Sequence, residues 1–206
     1  VGSEMCIRDR GVTQGAGLSL KWFRDNFCAA EKQTASLMGV DEYYLMDKEA
    51  EQVPVGANRL LYLPYLMGER TPHLDPNARG VFFGLSAMHT KRDMLRAVLE
   101  GVTYSLRDCV EVFREMGISV DDMMACGGGG TSPLWRSMLA DLYNCPVKTV
   151  ASKEGPSLGV AILASVGAGI YGSVPEACDA IVKTDKTQNP QAENVPVYES
   201  YYQLYR

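Results

Sequence analysis

Residues 127–130 are four consecutive glycines, followed by Thr131-Ser132-Pro133 and a helical pattern of apolar side chains. Glycine inside a regular element costs about 0.5–1 kcal/mol against alanine, so four in a row restrict what the chain around them can be. Ser132 is a good N-cap, and Pro133 at the first helical position surrenders no hydrogen bond. A helix therefore begins directly behind the glycines, with Leu134, Met138 and Leu142 on its buried stripe. A strand, a bare turn and a helix N-terminus together make a surface on which a flat base and ribose can rest against main chain. The helix end adds about half a positive charge of dipole. The alternative is a tight turn in which helix and strand backbones approach closely. No G-x-x-x-x-G-K-[ST] stretch is present, the spacing is not G-x-G-x-x-G, and no acidic residue about 20 positions later closes a second strand. The run is neither a P-loop nor a dinucleotide fingerprint.

The rest of the chain alternates strand and helix signals. Residues 18–30 predict an amphipathic helix, and Tyr43 to Met46 a short one ended by Pro54-Val55-Gly56. The apolar run 59–70 reads as a strand interrupted by Pro64, residues 70–80 as a loop, and 80–86 as a second short strand. The clearest helix is 91–116, capped by Thr90 and stopped by Gly117. "SVDDMMACGG" ends in a strand, "SPLWRSMLADLYN" is a helix, "PVKTVA" a strand and "PSLGVAILASVGAG" a helix. Residues 183–196 read as a loop, and a tyrosine-rich helix closes the chain. This alternation predicts an α/β fold, a sheet covered by helices.

Charge and cysteine usage narrow the function. The 206 residues carry a net charge of −5, the wrong sign for a nucleic-acid face. Six cysteines at 6, 28, 109, 126, 145 and 178 form no C-x-x-C pair and read as reduced thiols in a cytoplasmic protein. His73 and His89 are the only histidines, and no metal site is expected from them. The apolar stretch 158–171 is shorter than the ~18–20 residues of a membrane span. Residues 1–10, "VGSEMCIRDR", are polar, aperiodic and followed by an abrupt start; they read as a non-native segment, and the fold is expected in 11–206.

"GGGGTSPLWRSMLADLYNCPV" and "EGPSLGVAILASVGAGIY" resemble the C-terminal domain of the FGGY carbohydrate kinases. Within that family, "LPYLMGERTPHLDPNARGVFFGLS" resembles the members that act on xylulose, and "RAVLEGVTYSLRD" the long helix that follows there. The likeness runs from Gly11 to Arg206. It implies a ribonuclease-H-like, actin-like domain, one of two that hold ATP, Mg²⁺ and sugar in a cleft between them. It implies that adenosine lies on Gly127, Gly128, Gly129 and Gly130 with Ser132 and Pro133 beside it. The segment from Glu154 to Gly159 would border the same pocket. Alanine is usual in the family where Gly130 stands, so the turn is expected to be slightly looser. The family's catalytic base is an aspartate of a Gly-Asp motif, which nothing here matches; Asp25, Asp41 and Asp47 lack that setting. The resemblance therefore implies a fragment without a catalytic residue, incomplete at both ends, inactive alone and partnered by an N-terminal kinase domain. The substrate implied is D-xylulose, converted to D-xylulose 5-phosphate. Gluconate, glycerol or another ketose, or a non-catalytic nucleotide-binding module, are the alternatives. No nucleic-acid or membrane partner is expected, and a homodimer is compatible with the sequence.

Other residues carry two readings. Arg70 in "GERTPH" could steady a phosphate or pair with a carboxylate and shape its loop; the second is preferred. His73 reads as a loop hydrogen-bonder, since the sequence places no orienting carboxylate beside it. Glu100 reads as a helix-surface or capping-type residue rather than a catalytic one. Trp135 reads as core packing rather than a wall for the base. Gly159, Ala161, Ala164, Ser165 and Ala168 read as a close-packing face. Tyr198, Tyr201, Tyr202 and Tyr205 read as the docking face of a tail helix.

Overall fold

The computed structural model describes residues 11–151 and 155–206. Its axis is α4. The elements before it are α1 (Ala16–Phe27), α2 (Ala29–Met38), α3 (Glu42–Ala50), a turn at Ala57–Arg59, β1 (Leu61–Leu63) and β2 (Val81–Phe83). Then come α4 (Lys91–Glu115), β3 (Met123–Ala125), α5 (Gly127–Thr131), α6 (Pro133–Tyr143) and β4 (Val147–Val150). The chain closes with α7 (Gly155–Gly167), α8 (Val174–Ile181), β5 (Thr184–Gln188) and α9 (Val195–Tyr205).

Helix α4 starts where Asp93 accepts hydrogen bonds from both the backbone N–H and the hydroxyl of Thr90, each at 2.7 Å. It stops at Gly117, whose φ of 78° lets the chain turn back. Leu95, Val98, Leu99 and Val102 are buried along it, and β1, α1 and α6 pack against it. Gly101 explains how β1 comes so close: a Cβ there would lie 2.1 Å from the Tyr62 carbonyl oxygen.

Among the described residues there are two small sheets. β1 and β2 are antiparallel, with Tyr62 opposite Phe82. The other has the order β3-β4-β5. β3 runs parallel to β4, with Met124 beside Lys148, while β5 is antiparallel to β4 with an irregularity between Lys148 and Val150. Strand β5 lies inside the segment 183–196 that the sequence presents as a loop. Helix α8 also had no sequence expectation. Of the apolar run 59–70, just Leu61–Leu63 is strand.

Before β1 the backbone makes a left-handed turn, with φ of 84° at Gly56, 46° at Ala57, 53° at Asn58 and 73° at Arg59. Among the described residues three side-chain bonds hold it. The Gly56 N–H donates to Glu100 at 3.0 Å, the Asn58 side-chain amide to Asp93 at 2.7 Å, and His89 Nε2 meets the Asn58 carbonyl at 3.1 Å. Glu100 is therefore not a helix-surface residue. It is 1% exposed and receives Arg96 Nε at 2.7 Å, while Arg96 Nη2 donates to the Tyr198 hydroxyl at 2.8 Å. Burial pushes the Glu100 carboxyl above its ordinary range, against the pull of Arg96.

Helix α9 docks as its tyrosines suggest. Tyr198, Tyr202 and Tyr205 are buried around Tyr104, with ring centroids 6.4, 6.3 and 5.3 Å away. The Tyr202 hydroxyl donates to Asp108 at 2.6 Å. Among the described residues no helix is long and apolar enough to cross a membrane. Residues 1–10, expected as non-native, lie outside the described residues.

Candidate functional site

β3 delivers the glycine run to the top of the parallel pair. Cys126 is extended, with φ −120° and ψ 163°, and Gly127 then takes φ 72°. The expected bare turn is instead a short helix, α5, which breaks at Ser132 where ψ is 119°. Glycine permits this winding at Gly127 through its positive φ and at Gly130 by leaving no side chain against β3. Ser132 caps α6 as the sequence predicts, its hydroxyl oxygen accepting the Trp135 N–H at 3.0 Å, and Pro133 occupies the first turn.

The four glycines face in different directions. A Cβ on Gly127 or Gly128 would meet nothing within 4 Å, so this side of the run is open. A Cβ on Gly129 would lie 3.3 Å from the Trp135 ring, and one on Gly130 would lie 2.8 Å from the Ala125 carbonyl oxygen. The glycines thus differ in what they do for the backbone: Gly127 and Gly128 leave a face bare, and Gly130 permits close approach to β3. Gly130 is also buried, so this position tightens the turn rather than loosening it.

Side chains behind the run hold its shape. Thr131 Oγ1 donates to the Gly128 carbonyl at 2.7 Å. Arg136, 7% exposed, donates from Nη1 to the carbonyls of Gly130 at 2.5 Å and Thr131 at 3.0 Å. Trp135 is buried, and its indole N–H donates to Thr103 Oγ1 on α4 at 2.9 Å, which is the core reading. Asp47 of α3 faces the Ser132 hydroxyl; burial raises its carboxyl above the ordinary value and that hydroxyl draws it partly back. Arg136 and Asp47 were not anticipated as partners of the run, because an arginine and an aspartate at ordinary helical spacing give no sign of what lies opposite them.

The remaining expected site residues lie on other elements. Gly159 is exposed on α7, which packs mainly on α8, and nothing lies within 4 Å of its Cβ position. Glu154 lies outside the described residues. Arg70 is exposed between β1 and β2, its N–H donating to Glu69 at 2.6 Å and its carbonyl accepting from Leu74 at 2.7 Å. Glu69 organises this loop: it is 3% exposed and also receives Thr13 Oγ1 at 2.9 Å and the Gln14 N–H at 3.1 Å. His73 does have a carboxylate beside it, Asp108 at 3.9 Å, contrary to expectation; chain folding brings α4 under the loop. Asp25 is held by Lys21 and Arg24, which bring its carboxyl down to about 2. Asp41 caps α3 by accepting the Tyr43 N–H at 2.7 Å.

A cavity of about 600 Å³ lies at the other end of α6, lined by Arg107, Arg114, Asp141, Asn144 and Glu199. Its arginines are already engaged. Arg107 pairs with Glu111 and Glu199, and Arg114 with Glu111. The open glycine face is the stronger candidate for a flat ligand. Among the described residues no three His, Cys, Asp or Glu side chains gather where one metal ion could be held.

Residues 10–168 match the FGGY family of carbohydrate kinases, C-terminal domain. The xylulose kinase of Bacillus subtilis (strain 168) is 39% identical over 196 residues, which are 95% of this chain and 37% of that protein. The gluconokinase of Bacillus licheniformis is 37% identical over 196 residues, covering 95% of this chain and 38% of its own length. Among solved structures, ligand-bound xylulose kinase from Lactobacillus acidophilus superposes with a TM-score of 0.82 at 28% identity, over 94% of this chain and 37% of that one. The α/β arrangement is thus shared with solved sugar kinases, and the chain spans well under half the length of the curated relatives it matches.

Proposed function

The chain belongs to the FGGY family of carbohydrate kinases, and from that premise we propose that it is the adenosine-binding part of an ATP-dependent kinase that makes D-xylulose 5-phosphate from D-xylulose. The observation that carries the nucleotide assignment is the open face of Gly127 and Gly128, where a side chain would occupy space that nothing else fills. Adenine and ribose would rest there, against main chain held in place by Trp135 and Arg136. Ser132 and Pro133 would flank them, with Gly159 contributed from α7. Xylulose is preferred over gluconate on the xylulose kinase relative; the gluconokinase relative, at nearly the same identity, supports gluconate as the second reading.

In this reaction the sugar's primary hydroxyl oxygen forms a bond to the γ-phosphorus as the bond to the β–γ bridging oxygen breaks. The hydroxyl proton goes to an aspartate outside this chain. Such transfers depend on positioning and electrostatics, and this chain's share is the first of these. The family implies Mg²⁺, but the described residues supply no cluster to hold it, and no step here runs through it. ATP, D-xylulose and an N-terminal kinase domain are the partners in this reading, the setting is the cytoplasm, and the chain alone has no turnover.

Two measurements on the full-length protein test the proposal. Gly128→Trp fills the open face and should weaken ATP binding at least about tenfold, roughly 1.4 kcal/mol. Unchanged affinity in a folded variant removes the glycine face as the adenosine site. Rates on a panel of D-xylulose, gluconate and glycerol should favour D-xylulose, and better use of gluconate would put the second reading first.

A further inference from the structure

We propose that Arg136 is a positioning residue for nucleotide binding, which holds the glycine run in its binding shape through two of its carbonyls. The inference rests on the reading of that run as the adenosine site. Helix α5 has five residues, four of them glycine. Helices shorter than about 12–15 residues are marginal alone, and glycine is the poorest helix former after proline. The shape of the run must therefore be imposed from outside. The last carbonyls of a helix have no partner within it. Here Arg136 supplies one, reaching Gly130 at 2.5 Å and Thr131 at 3.0 Å from a side chain 7% exposed.

The chemistry suits the place. A cation at a helix C-terminus meets the negative end of the dipole. Charge-assisted hydrogen bonds are roughly twice as strong as neutral ones. Arg136 directs its charged donors at the run's own carbonyls. The guanidinium sits on the first turn of α6, and that helix is anchored to α4 through Trp135 and Thr103. Arg136 thus carries the rigidity of the core into a stretch of backbone with almost none of its own. It touches carbonyl oxygens of the run and acts on a nucleotide through them.

The test compares Arg136→Met and Arg136→Lys in the full-length protein, with KM for ATP, KM for the sugar, kcat and the thermal midpoint measured for each. Removing a charged hydrogen-bonding group predicts a rise in the ATP KM of about tenfold for the methionine variant, with kcat and sugar KM within about twofold of wild type. Lysine keeps the charge but not the planar fork, so it should rescue part of the loss. A merely structural arginine would lower the thermal midpoint and leave the ATP KM unchanged. A folded methionine variant with wild-type ATP KM, or an equal rise in both KM values, overturns the proposal. If the methionine variant does not fold, the lysine variant decides: an ATP KM equal to wild type refutes the idea. Gly128→Trp is measured alongside. Should it leave ATP binding intact, the adenosine reading falls and this inference with it. Should it weaken ATP binding while the Arg136 variants do not, the inference alone is wrong.

Discussion

Arg59 extends into solvent from a backbone conformation that residues with a Cβ avoid, with φ at 73°. A side chain in the left-handed region costs about 1–2 kcal/mol. The turn survives because Glu100, Asp93 and His89 fix the residues just before it. Arg59→Gly should relieve the strain at little loss of contact. The gain is reduced by glycine's greater freedom in the unfolded chain, leaving about 0.5–1 kcal/mol. Urea unfolding should show a higher midpoint at an unchanged slope, and a lower midpoint would mean that the arginine makes a stabilising contact after all. The same dependence on local dihedrals explains why the glycine run was only half legible. The letters show that side chains are missing. They do not show that a Cβ on Gly129 would press on Trp135 while one on Gly128 would meet open space. That distinction selects Gly128 for the steric test.

The junction of α2, α3 and the start of α4 holds two carboxylates and a lysine. Lys91 pairs with Glu31, and lies 3.8 Å from Glu49. Burial raises the Glu49 carboxyl, and the negative charge of neighbouring Glu31 raises it further, while Lys91 and Arg92 oppose this. Burial also acts upward on Glu31, but Lys91, its own backbone N–H and Glu49 outweigh it and hold Glu31 low. The signs are therefore opposite. Ionised Glu49 opposes folding in full above its raised folded value, and the penalty fades as pH falls through that value toward the ordinary one. Glu31 contributes stability above its ordinary value and loses it when pH falls through its lowered one. Glu49→Gln keeps a hydrogen-bonding side chain without the charge. It should be more stable than wild type near pH 8, with the difference closing toward about pH 4. Thermal midpoints across that range check it, and a constant difference would show that the Glu49 carboxyl is not raised by folding. Elements of this kind differ in how plainly they are written. Helix α4 is legible to within a residue because its apolar residues recur at three and four. β5, "TDKTQ", is exposed along almost its whole length and has no alternation to read; β4 alone makes it a strand. Helix α8 depends on Ser173 accepting the Glu176 N–H, a cap that is apparent only once the preceding turn is placed. Arg136 and Glu69 were missed for a related reason: their burial is a property of the folded loop.

At the scale of the molecule, α7 stands apart from the core that surrounds α4. Its sequence is apolar on every side, and a helix of that kind is ordinarily covered all round. In this chain Ile162 is buried, but Val160 is 67% and Leu163 61% exposed, and Ile170 just beyond is 70% exposed. α8 packs against it, and among the described residues β3 is an edge strand, with Met124 44% exposed. Contiguous exposed apolar surface drives association in water, and a parallel edge strand adds unpaired N–H and C=O groups that another chain can use. The net charge of −5 supplies some repulsion, but α7 contains no charged residue from Gly155 to Gly167 to direct it there. The chain produced by itself should therefore self-associate as its concentration rises and should bind a hydrophobic dye. Replacing Val160 and Leu163 together with lysine puts two charges on the exposed face without disturbing Ile162. That variant should remain monomeric at concentrations where the parent chain does not, with the same helical content by circular dichroism. Sedimentation of both chains over a concentration series makes the comparison. If the parent is monomeric and dye-silent throughout, the exposed residues of α7 must find cover within the chain itself, and the packing around that helix would have to be redrawn.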